Sequence, residues 1–133
     1  MNVILIISDT FRRDHLGCYG NQWIRTPNLD ALAAQSFVFN NAWVSNFPTL
    51  SNRYDVMTGR FGYIEYDWSP LPAHATVLQE VLGASGYVTM MVGDTPHTFQ
   101  HGANFQRGFD AFHWVRGQEN DKFAPQPREV QLP

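Results

Sequence analysis

Hydrophobic positions along this chain fall into short blocks separated by Gly, Pro and polar turns, and the spacing inside each block predicts its element. Val3-Ile4-Leu5-Ile6-Ile7 is an unbroken, largely β-branched run, the pattern of a strand buried on both faces of a parallel sheet, and it ends at Ser8-Asp9-Thr10. Thr26-Pro27-Asn28-Leu29-Asp30 reads as a cap, a Pro at the first helical position and an acidic first turn, with Leu29, Leu32 and Ala33 as an apolar stripe. Phe37-Val38-Phe39 and Ala42-Trp43-Val44 fit a strand pair or one interrupted strand. A helix from about Leu50 to Met57 follows, closed by Gly59, and residues 61 to 75, with Gly62, Pro70 and Pro72 among aromatics, read as a loop passing over the site or core. Thr76 is a candidate cap for a helix running through Leu82 and closed by Gly86, and Tyr87 to Val92 is a second buried strand. This β-α-β alternation predicts an α/β fold with a mainly parallel sheet and helices on both faces. Beyond Arg116 the pattern fades into a polar, Pro-containing stretch that reads as a linker or a cut end.

The chain has 133 residues, 44% hydrophobic and 14% aromatic, enough for one compact domain with a real core. A net charge of −3 with 9 basic residues provides no field for nucleic acid, and no run of like charges marks a membrane patch. The single cysteine, Cys18, makes no internal disulfide and reads as a buried small residue. His15, His74, His101 and His113 lack metal-ligand spacing and read as structural or exposed. The four tryptophans are too scattered for a nucleic-acid stacking platform and read as core. No secretory signal opens the chain, and Val3 to Ile7 is too short to span a bilayer, so a cytoplasmic location is the default expectation.

Candidate chemistry gathers at Phe47-Pro48-Thr49-Leu50-Ser51-Asn52-Arg53 and Thr58-Gly59-Arg60. Pro48 favours the opening of a helix, whose first N–H groups attract an anion. Thr49 and Arg53, four apart, stack on one helical face, so the guanidinium can grip an oxyanion while the alcohol attacks. The bland reading, a loop and an ordinary capped helix, stands beside it. Asp9 falls at the carboxyl end of a strand, where open α/β sheets place ligands; taken alone it either works there or caps the next turn. His97, in Gly93-Asp94-Thr95-Pro96-His97, occupies the same kind of place, and is either functional or a surface or core residue. No GxGxxG or GxxxxGK(S/T) follows the first strand, which sets a nucleotide-binding domain aside.

Spacing then points to a family. The sulfatases carry Cys or Ser, two residues later Pro, then Ser-Arg, and Thr-Gly five residues after the Arg; Arg53 and Thr58-Gly59 fit that ruler, and Thr49 stands at the nucleophile position. RRDHLGCYGN, TPNLDALAAQS, TVLQEVLGASGY and RGFDAF resemble sulfatase segments in sulfatase order. The resemblance implies an alkaline phosphatase-like three-layer α/β/α sandwich, incomplete in this chain, with residues 1–118 as the amino-terminal part of the catalytic domain and 119–133 as a linker or truncated end. It further implies a divalent metal, Ca²⁺ by family with Mn²⁺ or Zn²⁺ as alternatives, held by Asp9, Thr10 and Thr49, with Arg53 on the transferred group and His97 on the leaving oxygen. Thr10 replaces a second Asp, His97 matches with one residue of slippage, and the Lys that accompanies it in sulfatases has no counterpart. The late Asp followed by Asn or His that completes the metal site has no counterpart either, so the 133 residues alone should bind metal weakly and turn over little, and the remainder of the domain is required.

Threonine's secondary alcohol would not yield the formylglycine aldehyde that sulfatases use. A Thr ester must instead be broken by water, the route of related phosphodiesterases. The reading is therefore a metal-dependent hydrolase of a small-molecule or carbohydrate sulfate, phosphate or phosphonate ester with a Thr nucleophile, acting on neither nucleic acid nor membrane. Chemistry alone leans to phosphate and the family to sulfate. The alternative is a non-catalytic sulfatase-like fold that binds an anionic ligand.

Overall fold

Short-range capping and turn bonds account for most of the first part of the chain. The computed structural model describes residues 1–62, 66–118 and 121, in two units, Met1–Trp43 and Val44–Pro133. In the first unit, Pro27 opens helix α1 (Pro27–Ala33) as predicted, but the Thr26 side chain does not cap a backbone N–H of the helix. Its hydroxyl accepts the Gly17 N–H at 2.9 Å and donates to Asp30 at 3.1 Å, while Asp30 accepts the Cys18 N–H at 2.7 Å. The first turn of α1 thus caps the single 3-10 turn Gly17–Tyr19. A β-carbon on Gly17 would lie 2.4 Å from an Asp30 oxygen, so only glycine fits. Arg13 continues the same cluster, donating to the Asn40 carbonyl at 2.6 Å with its guanidinium 4.4 Å from the Tyr19 ring centre.

Several expectations fail in this unit. Val3–Ile7 forms no strand and is exposed, Ile4 at 85%. A strand is held by a neighbour's ladder, and the β1–β2 pair described below is the sheet found among the described residues. Phe37–Phe39 and Ala42–Val44 likewise form no strands. Cys18 is exposed rather than buried, because its place is fixed through the backbone N–H and the thiol is left outside. Trp23 and Trp43 are surface residues, Trp43 at 90% exposure, not core.

The second unit carries the core. Leu50, Tyr66, Leu71, Ala75, Val77, Ala103 and Phe105 are buried together, with Tyr54 and Met57 packed against them. Helix α2 (Thr49–Thr58) supplies Leu50, Tyr54 and Met57, an i, i+4, i+7 stripe. It ends where expected, at Gly59 with φ +66°, a left-handed residue whose N–H bonds the Asp55 carbonyl at 2.8 Å. Helix α3 (Leu78–Ala84) is capped at Val77 rather than Thr76, and Gly86 follows with φ +84°.

Strand β1 (Met90–Gly93) pairs in parallel with β2 (Ala111–Trp114), Met90 opposite Ala111 and Gly93 opposite Trp114. The connection, residues 94–110, contains the 3-10 turns Pro96–Thr98 and Gln100–Gly102, and Phe99 packs on Phe112 and Trp114 at centroid distances of 5.0 and 4.8 Å. A parallel pair needs such a crossover. Met90 and Val92 are exposed, so β1 is shorter and less covered than the predicted strand over 87–92. Asp110, just before β2, accepts the Thr89 N–H at 2.7 Å and the Thr89 hydroxyl at 3.0 Å, which aligns the start of the pair. Helices and a parallel pair make the architecture α/β. The predicted linker over 119–133 falls outside the described residues except at Asp121.

Candidate functional site

Thr49 is the first residue of α2 and Pro48, which makes no side-chain cap bond, its cap position. The helix ladder begins at Asn52, whose N–H bonds the Pro48 carbonyl at 3.0 Å, so the N–H groups of residues 49–51 precede the first intrahelical bond. One turn on, Arg53 lies on the same helical face as Thr49, their β-carbons roughly 5–6 Å apart at this spacing. Both are half-buried at the border between the core stripe and the exposed face that carries Val56. Arg53 Nη1 donates to Asn52 Oδ1 at 2.9 Å. The first two turns of α2 thus carry a hydroxyl and a guanidinium four residues apart, at the positive end of the helix.

The far end of α2 is fixed by groups the sequence reading passed over. Asp55 is buried, and its Oδ1 accepts the Gly62 N–H at 2.8 Å. The Thr58 hydroxyl donates to the Tyr54 carbonyl at 2.8 Å. Tyr66 stacks on Tyr54, ring centres 4.2 Å apart and planes 15° apart, and its phenol donates to the Ser69 carbonyl. Burial pushes the Tyr66 phenol above its ordinary pKa.

His97 lies in the 3-10 turn past the carboxyl end of β1 and is half-buried. Trp68 meets its ring edge-on, centroids 5.3 Å apart and planes at 66°. Residues 66–69 therefore touch α2 through Tyr66 and the His97 turn through Trp68. One short loop links the Thr49–Arg53 helix to the candidate leaving-group histidine. Trp68, expected in the core, is 46% exposed. Its place in Asp67-Trp68-Ser69-Pro70, a turn-like stretch, was the available signal.

Asp9 and Thr10 belong to the first unit, where both are exposed at a turn and Thr10 holds a left-handed backbone, φ +55°. A carboxylate and a hydroxyl are suitable hard donors for a divalent cation. Among the described residues, however, no group of three or more His, Cys, Asp or Glu side chains stands together to hold one. These residues by themselves do not make a metal site.

An α/β unit that opens a helix on a hydroxyl, places an arginine one turn later and sets a histidine beyond a parallel strand defines a candidate oxyanion site. Comparison with known proteins gives the family. The sulfatase family model matches residues 1–130. Human iduronate 2-sulfatase is 35% identical over 104 residues, covering 73% of this chain and 18% of that protein. An arylsulfatase of Clostridium perfringens is 30% identical over 96 residues, 69% of this chain and 20% of that protein. The N-acetylglucosamine-6-O-sulfatase of Bacteroides thetaiotaomicron is 26% identical over 129 residues, 93% and 22% respectively. The chain belongs to the sulfatase family, whose fold is the alkaline phosphatase-like α/β architecture, and it spans about a fifth of the length of these relatives. No solved structure is matched.

Proposed function

We propose that this chain serves as the amino-terminal part of the catalytic domain of a sulfuric ester hydrolase acting on a small-molecule or carbohydrate sulfate, with Thr49 as nucleophile. The observation that carries the reading is the start of α2: Thr49 at the first helical position, with Arg53 one turn further on. Thr49 Oγ1 bonds to sulfur and gives up its proton, and the bond from sulfur to the alcohol oxygen breaks, its electron pair moving to that oxygen, which takes up a proton in turn. His97 holds the leaving oxygen or hands it a proton. Arg53 and the helix start stabilise the charge on the sulfuryl oxygens. Water then attacks sulfur, the bond from sulfur to Oγ1 breaks and Oγ1 takes a proton given up by the water, and the sum is ester plus water to alcohol plus hydrogen sulfate. Asp9 and Thr10 are proposed as contributors to a divalent-cation site completed by the rest of the domain.

The test is Thr49→Ala in the complete enzyme with paired aryl sulfate and aryl phosphate substrates. Loss of at least ~10³-fold in kcat/KM on the sulfate is expected. Unchanged turnover on both esters removes Thr49 from the chemistry, and loss confined to the phosphate reassigns the substrate. The second reading, a non-catalytic relative that binds an anion, is favoured by Thr at position 49 and by Thr10 in place of a second acid. Calorimetry with Ca²⁺, Mg²⁺, Mn²⁺ and Zn²⁺ separates the two: absence of binding by the complete protein supports the non-catalytic form.

A further inference from the structure

We propose that Trp68 is a substrate-binding residue of this site, its indole taking the flat apolar face of the leaving alcohol, either an aryl ring or the C–H face of a pyranose. The inference rests on the reading of Thr49, Arg53 and His97 above and adds where the alcohol lies. An ester of this class is two-ended. The sulfuryl group needs positive charge, which Arg53 and the α2 start provide, and the carbon skeleton beyond the leaving oxygen needs a surface of the opposite character. His97, the candidate partner of that oxygen, has its ring against Trp68 at 5.3 Å.

An edge-on contact at 66° engages part of the indole and leaves the rest of its π surface outside, in keeping with 46% exposure. The chain segment that carries it is tied down. The Trp68 backbone N–H donates to Asp67 Oδ1 at 2.7 Å, the Ser69 hydroxyl to the Asp67 carbonyl at 3.3 Å, and the Leu71 backbone N–H to the Ala103 carbonyl at 2.8 Å. On the other side Tyr66 is stacked on Tyr54 of α2. A large aromatic ring half in water, carried on a bonded chain segment and touching the candidate leaving-group residue, is placed to stack on a ring arriving with that oxygen.

The experiment compares wild type, Trp68→Ala, Trp68→Leu and Trp68→Phe in the complete enzyme on 4-nitrophenyl sulfate, glucose 6-sulfate and methyl sulfate. Relative to their effect on methyl sulfate, both Ala and Leu variants should raise KM about 10-fold on a ring ester, and Phe should stay within about 3-fold. Which ring ester loses affinity identifies an aryl or a sugar alcohol. Equal losses on methyl sulfate, or no loss on either ring ester, overturn the proposal. Calorimetric titration with 4-nitrophenol and with glucose decides the same point without turnover. Binding weakened by Trp68→Leu supports the proposal even if Thr49→Ala leaves catalysis intact, whereas equal binding, or none to wild type, refutes it.

Discussion

Replacing Arg107 by Ala should destabilise the second unit by about 3–4 kcal/mol, the largest single effect expected outside the hydrophobic core. The guanidinium donates to the Pro72 carbonyl at 3.0 Å, to the Ala75 carbonyl, and through Nε to Glu80 Oε1 at 2.9 Å. Each bond from a charged donor to a carbonyl is worth roughly 1.5 kcal/mol at the low end, and removal leaves two part-buried carbonyls without that donor. The pair with Glu80, whose side chain is 40% exposed, adds only about 0.5 kcal/mol after solvent screening. Gln79 still reaches the residue-107 carbonyl, because that bond uses the backbone. Arg107→Lys, with one ammonium for three acceptors, should recover roughly half of the loss. Equilibrium urea unfolding gives the magnitude. Hydrogen exchange gives the place: the Ala75 amide, bonded to the Pro72 carbonyl, and the Leu71 amide should lose protection first. A loss below about 1 kcal/mol for Arg107→Ala would refute the reasoning, since the three bonds would then contribute nothing beyond surface contacts.

Gly17→Ala should cost about 1–3 kcal/mol and speed exchange of the Cys18 amide, because the new methyl meets Asp30 at 2.4 Å while Asp30 is held by Cys18 and Thr26. Gly83→Ala, in α3 with open space around the added carbon, should instead stabilise by about 0.5–1 kcal/mol in the same unfolding assay. Asp110 has its carboxyl held below the ordinary range, first by the Thr89 N–H and then by the Thr89 hydroxyl. A depressed folded pKa gives stability that is complete above the ordinary carboxylate value of about 3.9 and is lost as pH falls through the folded value. Asp110→Asn should therefore flatten the acid limb of the stability curve, and Thr89→Val should move the Asp110 carboxyl upward in an NMR titration; no movement would contradict the assignment.

Local signals carried the reading of α2. Pro48 before the start, the 50-54-57 stripe and Gly59 after the end each act within a turn or two, and the observed bounds differ from the expected ones by a single residue. Thr49 and Arg53 follow from the same arithmetic. What failed depends on partners distant in sequence. Val3–Ile7 has the composition of a buried strand, but composition states what a segment prefers to be packed in and not what stands beside it. Strand β2 has no counterpart in the sequence reading, since Ala111-Phe112-His113-Trp114 has no apolar run and becomes a strand by pairing with β1. Burial by residue type misplaced Cys18, Trp23, Trp43 and Trp68. The Arg107 clamp was invisible because its acceptors are carbonyls, which every residue has.

The central claim is that the Thr49 oxygen takes up the transferred sulfuryl group, and rapid acid quench of the complete enzyme during turnover of an aryl sulfate, followed by peptide mass spectrometry, tests it directly. The account predicts a sulfo group on the peptide containing Thr49, localised to that residue and missing in Thr49→Ala. An unmodified Thr49 under conditions of full turnover, or a sulfo group on another side chain, would contradict it.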